Sequence, residues 1–181
     1  MRILAISALA LATVATPAFA QEEAKANFEG AYVGALFGWD HADDGTDSGD
    51  GIVGGAVVGY DFQASNIVLG VEAEANYAST KDCVGGSCVE AGRDLYAGGR
   101  VGMPVSPSTM VYAKAGYTNA VLKVTANGST VASQKLDGVR GGVGIETTTD
   151  GGLFGRVEYR YSNYELGVSR HQGVVAIGIR F

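Results

Sequence analysis

Residues 67–78 read Ile67-Val68-Leu69-Gly70-Val71-Glu72-Ala73-Glu74-Ala75-Asn76-Tyr77-Ala78. Taken two apart, Ile67, Leu69, Val71, Ala73, Ala75 and Tyr77 form one apolar set. The other set holds Gly70, Glu72, Glu74 and Asn76. A period of two belongs to a β-strand, whose side chains alternate between faces. This strand has one greasy face, and a second face that places two carboxylates side by side.

The same split recurs in both directions along the chain. Alternating segments are predicted near 29–40, 53–62, 67–78, 94–104, 110–119, 138–148, 153–163 and 173–181. Their apolar faces run through Ala31 to Trp39, Gly54 to Phe62, Leu95 to Met103, Val111 to Tyr117, Val139 to Ile145, Leu153 to Tyr161, and Val175, Ile177, Ile179 and Phe181. None of these faces carries Asp, Glu, Lys or Arg. The opposite faces carry Asp61, Glu72, Glu74, Glu146 and Glu158 together with Arg100, Lys114, Arg140, Arg156, Arg160 and Arg180. Opposite charges gathered on one face of many strands predict a shared interior in which they pair.

The connections alternate in length. Gln63 to Asn66, Val105 to Ser108 and Thr149 to Gly152 are short and rich in turn residues. Those near 41–52, 79–92, 120–137 and 164–172 are longer. Val121, Lys123 and Val124 keep a strand-like pattern, so the fifth and sixth segments are expected to continue past the membrane. Short turns on one side and long loops on the other are the plan of an outer-membrane barrel, with the short turns in the periplasm.

Residues 1–20 are expected to be a cleaved secretory signal peptide. Arg2 leads an Ala/Leu-rich apolar run, Pro17 breaks it, and Ala18-Phe19-Ala20 offers a small-x-small cleavage site. A buried N-terminal helix is the other reading, and the polar Gln21-Glu22-Glu23 that follows argues against it. One domain is expected over 21–181. Removing Arg2 takes the formal net charge from −6 to −7, and no dense basic run appears, so nucleic acid is not an expected partner. Beyond residue 20 no apolar run approaches the roughly 18 residues of a membrane helix. A lipid-spanning chain of this kind must close into a barrel, because lipid leaves no other way to satisfy the backbone.

Periodicity alone also suits a soluble, lipocalin-like barrel with its apolar face inward. Three features favour apolar-out. Trp39, Tyr77, Tyr117 and Tyr161 fall at the loop ends of the apolar faces, and Phe62 and Phe181 at the turn ends, as two interfacial aromatic girdles would. The polar faces mix glycine with paired charges, as a narrow interior would, where a solvated face would carry more Lys, Ser and Thr. The last strand pattern ends on Phe181. The expected fold class is all-β: an eight-stranded antiparallel up-and-down transmembrane β-barrel of the Gram-negative cell outer membrane.

The run Ala31-Tyr32-Val33-Gly34-Ala35-Leu36-Phe37-Gly38-Trp39 resembles the first strand of the OmpA-type transmembrane barrel. More broadly, 27–181 is similar to the small outer-membrane β-barrel proteins of the opacity or "porin family" type. The resemblance implies that Phe181, with Ile179, Ile177 and Val175 at alternate positions, is a signal read by the barrel-assembly machinery. It implies outer-membrane lipid and lipopolysaccharide as surroundings. No peptidoglycan-binding domain is expected after the barrel.

Eight strands enclose a lumen just wide enough for side chains to fill it. The expected interior network is Glu72, Glu74, Arg100, Lys114, Arg140, Glu146, Arg156, Glu158 and Arg160, with Arg100 beside Glu72 and Glu74, and Glu146 beside Arg156, Glu158 and Arg160. It plugs the barrel in the favoured reading and lines a narrow water path in the other. Cys83 and Cys88 lie in an exported loop and are expected to form a disulfide; two cysteines alone lack the ligands for a metal. Asp40, Asp43, Asp44, Asp47 and Asp50 do not follow the EF-hand spacing and read as a solvated loop, with weak Ca²⁺ binding as the alternative. Asn127-Gly128-Ser129 matches a glycosylation sequon and reads as a turn. His41 and His171 come together if the first and last strands pair. With Ser169 and Asp40 nearby in sequence they resemble a metal pair or a hydrolase arrangement, against the plainer reading of two unrelated loop residues. No catalytic residue, cofactor or metal is expected. The expected function is non-enzymatic, contributing to envelope integrity and to surface interactions through extracellular loops with an unnamed host or surface ligand. A small passive channel is the alternative, and a lipid-modifying enzyme the third reading.

Overall fold

A computed structural model describes residues 28–43, 48–79, 81–84, 87–126 and 129–181, with backbone alone at 81–84, 87–91, 122–126, 129–132 and 166. The strands are β1 (Gly30–Asp43), β2 (Ser48–Ala64), β3 (Ile67–Ala78), β4 (Lys81–Val84), β5 (Ser87–Ser106), β6 (Thr109–Ala126), β7 (Ser129–Thr148), β8 (Leu153–Tyr164) and β9 (Ser169–Arg180), with a 3-10 turn at Glu165–Gly167. Each of β1, β2, β3 and β5 to β9 pairs antiparallel with its sequence neighbour. The β1–β9 and β3–β5 ladders complete the circle. Eight strands therefore form a closed barrel without an edge, which is what lets β-structure cross lipid.

β4 is a ninth, short strand that pairs with β5 outside the barrel wall, in a stretch expected to be loop. The strands also run longer than the sequence pattern indicated. β1 continues to Asp43 and β2 begins at Ser48, so most of the expected 41–52 loop is ladder. β6 and β7 pair from Thr109/Thr147 up to Ala126/Ser129, as Val121, Lys123 and Val124 suggested. Hydrophobic alternation marks only the part of a strand that has lipid on one side, so it fades where both faces meet water. With β4 and the upper part of β5, this hairpin makes a sheet that projects beyond the membrane.

The turns on the other side are tight: Ser65-Asn66, Pro107-Ser108, and Thr149 to Gly152. Ser65 at φ 56° and Gly152 at φ 78° supply the left-handed backbone that two of these reversals need.

The faces settle the inside-out question. Outward Phe37, Val71, Val139 and Val157 are 57%, 62%, 67% and 64% exposed, while no inward acid or base exceeds 7%. A soluble barrel with an apolar interior is excluded. From Ile67 to Tyr77 the outward apolar face of β3 covers ten residue steps, about 33 Å of strand, or about 25 Å of height at a tilt of about 40°. That height matches the hydrocarbon band of an outer membrane.

Candidate functional site: the ion-paired lumen and its rim

Inward residues at alternate positions of eight strands meet on the barrel axis. Space for the largest comes from glycines facing them. A Cβ on Gly59 would stand 2.3 Å from the Tyr32 ring, and one on Gly144 2.6 Å from the Tyr112 hydroxyl. The periplasmic floor is apolar: Phe28, Val68, Met110 and Tyr112 pack together. Phe28 is pinned there, its N–H donating to Gln63 Oε1 at 2.7 Å and its carbonyl accepting from Arg180 Nη1 at 2.5 Å.

Above the floor lies a cluster of three acids and three arginines. Arg100 grips both oxygens of Asp61, with Nε–Oδ1 at 2.8 Å, and donates to Glu146 at 3.1 Å. Arg156 bridges Glu72 at 2.7 Å and Glu146 at 2.9 Å. Arg180 reaches Glu146 at 2.6 Å and Asp61 at 2.8 Å. The Tyr32 ring lies under Arg100, 4.4 Å from centroid to guanidinium, and its hydroxyl donates to Glu72 at 2.7 Å. At mid-height Lys114 Nζ sits among Glu74 at 2.5 Å, Glu72 at 2.8 Å and Glu158 at 2.8 Å. Those three carboxylates are close enough together to hold a metal ion, and the ammonium stands in their midst. Higher up, Arg160 pairs with Glu74 and Glu158, and Arg140 with Asp94 at 2.5 Å and Glu74 at 3.4 Å. Arg170 joins Asp94 at 3.2 Å to Asp40 at 2.5 Å, and Gln172 also donates to Asp40.

Among the described residues the buried ions number seven acids and seven bases. Contacts of 4 Å or less link all of them into one network running the height of the lumen. Its net charge is zero. Burying so many ions is tolerable only because each has partners.

All nine side chains expected inside are there. Their partners differ in two respects: Glu74 pairs with Lys114, Arg140 and Arg160 rather than Arg100, whose principal partner is Asp61, and Glu146 pairs with Arg100, Arg156 and Arg180 rather than Arg160. Asp61 and Arg180, expected on the inner face, belong to the network too. Asp94, Arg170 and Asp40 join it as well. Asp40 corrects the reading of 41–52 and its flank as a solvated acidic loop: it is fully buried, in phase with Tyr32 and Leu36. Carrying the period of two further along each strand finds all three.

On the outer surface Trp39, Tyr77, Tyr117 and Tyr161 are 59%, 58%, 54% and 38% exposed. Tyr117 donates its hydroxyl to Asp137, which also accepts from Asn119 Nδ2 at 2.6 Å. Ile177, Ile179 and Phe181 face outward along the β1 seam, and the Phe181 N–H donates to the Ala31 carbonyl at 2.8 Å. Cys83 and Cys88 stand opposite each other in the β4–β5 ladder; their side chains lie outside the described residues. So do the expected leader at 1–20, Asp44, Asp47, and Asn127-Gly128 of the sequon. His41 and His171 are directly opposed on the outer rim. Asp40 points into the lumen on the other face of the wall, so it cannot join them in a hydrolase triad.

Known proteins share this architecture. Residues 6–181 match the outer membrane protein beta-barrel domain model. The 25 kDa outer-membrane immunogenic protein of Brucella ovis is 33% identical over 157 residues, covering 85% of this chain and 76% of that one. Among solved structures, Neisserial surface protein A superposes with a TM-score of 0.68 at 15% identity, over 83% of this chain and 97% of that one. Ail, the attachment invasion locus protein of Yersinia pestis, superposes with a TM-score of 0.59 at 13% identity, over 84% and 99%. The last two likenesses speak for fold alone. With its closed eight-stranded wall, lipid-facing apolar belt and ion-filled lumen, the chain belongs to the outer-membrane β-barrel family of Gram-negative bacteria.

Proposed function

We propose that this barrel is a non-conducting, non-enzymatic envelope protein that contributes to outer-membrane integrity and presents the β4–β7 sheet for contact with a host or surface ligand. The filled, charge-neutral lumen carries the reading. A lumen closed by fourteen mutually paired ions and floored by Phe28, Val68 and Met110 offers solutes no path, so activity is left to the outer surface. The attachment role in Ail's name and the immunogenic role in the Brucella protein's name fit a barrel that works through its extracellular end. Lipopolysaccharide and lipid meet the apolar belt, and the barrel-assembly machinery reads Phe181, Ile179 and Ile177 during insertion. No role in nucleic-acid binding is assigned.

The test has two parts. Folded protein in a planar bilayer is expected to stay electrically silent; discrete, reproducible current steps would replace this reading with a passive channel. Liposomes carrying the barrel are expected to adhere to host cells. Replacing 120–137 with a two-residue turn should abolish adhesion while leaving the heat-shifted gel mobility of the folded barrel intact. Equal adhesion by the shortened barrel sinks the surface-contact role.

A further inference from the structure

We propose that His41 and His171, steered by Asp50, form a binding site for a divalent transition-metal ion such as Cu²⁺ or Zn²⁺ on the outer rim. The β1–β9 seam sets His41 opposite His171. Both share the outward parity of Trp39 and Val175. The neighbouring ladders extend the row, with Asp50 of β2 beside His41 and Tyr161 of β8 beside His171. Asp50, His41, His171 and Tyr161 thus stand in line across four strands, just above Trp39.

The hydrogen bond to Asp50 prepares the His41 ring for a ligand. His41 Nδ1 is 2.7 Å from Asp50 Oδ1, and His171 Nδ1 is 2.6 Å from the Tyr159 hydroxyl. A carboxylate at Nδ1 holds the proton there and leaves the Nε2 lone pair free, the usual state of a metal-ligating histidine. Among the described residues no hydrogen bond engages either Nε2. Directly opposed residues have Cβ atoms about 4.5–5.5 Å apart. Side-chain rotation alone therefore lets both Nε2 atoms approach one ion at about 2.0–2.1 Å. Two imidazoles favour Zn²⁺, Cu²⁺ or Ni²⁺ over Ca²⁺ or Mg²⁺.

The site contains its own reporter. Trp39 is the only tryptophan, and its ring centroid is 6.3 Å from that of His41. Tag-free barrel folded in detergent is titrated with CuCl₂ near neutral pH while Trp39 fluorescence is followed. Saturable quenching at one equivalent is expected, relieved by Zn²⁺, whose filled d shell does not quench. His41→Ala and His171→Ala should each weaken the apparent affinity about tenfold or more, and Asp50→Asn about tenfold. These side chains lie on the rim, and heat-shifted mobility confirms that each variant has folded. Quenching that never saturates, or that survives unchanged in His171→Ala, overturns the site.

Discussion

Lys114 brings one ammonium within 2.8 Å of three carboxylates, and this single residue holds Glu72, Glu74 and Glu158 together. Lys114→Met keeps the volume and leaves the three acids one cation short. Breaking a buried ion set costs about 3–5 kcal/mol, so the urea midpoint for loss of the heat-modifiable band should fall sharply. Adding Glu74→Gln should recover part of the loss, because one stranded charge is then removed; no recovery would show that Lys114 acts by packing. Gly59 makes the complementary case. Its Cα lies against the Tyr32 ring, so Gly59→Ala should cost about 1–3 kcal/mol by overpacking. In a Tyr32→Ala background the same change should cost less, with the part due to the Val71 carbonyl, 2.6 Å from that Cβ, remaining, a coupling that a double-mutant cycle measures. Which parity holds Lys114 was plain from the chain. That glycine at 59 answers tyrosine at 32 was not, since the two belong to different strands.

At the scale of the element, each strand has a lipid face and a lumen face, and each face tolerates different changes. Val157 sits midway along the outward face of β8 between Leu153 and Tyr161 and is 64% exposed. Val157→Arg should destabilise the barrel folded in liposomes by about 2–4 kcal/mol, falling toward zero for the same change near either interface. The β4–β5 ladder sets Cys83 opposite Cys88 at a cross-strand Cα separation of about 4.5–5.5 Å, within disulfide range. Alkylation with and without reductant, read by mass, should show an oxidised pair. Reduction should leave the barrel's melting unchanged, because the closed loop is short and lies off the wall. Strand existence was legible everywhere lipid lies on one side. The ends of β5, β6 and β7 were not, and β4 was missed, because residues with water on both faces lose the alternation that marks a strand.

For the whole molecule the decisive property is a lumen whose described ions sum to zero net charge and are all paired. Removing a complementary pair, Glu74→Ala with Arg140→Ala, keeps that neutrality and empties space near mid-height. Planar-bilayer recordings should then show current steps where the unaltered barrel is silent; silence in both would place the barrier at the Phe28 floor instead. The chain by itself determined the period of two, the confinement of charge to one parity, the short and long connections and the aromatic ends. These are local properties, and they suffice for a lipid-spanning barrel. Only the tertiary structure decided which ions meet. Glu72 and Arg156 are 84 residues apart, and Arg100 prefers Asp61 to Glu74. It also turned Asp40 from a supposed loop acid into the partner of Arg170, and put His41 opposite His171. Strand stagger and barrel diameter set those meetings by bringing non-neighbouring strands within side-chain reach across the axis. A pattern read along one strand contains neither quantity.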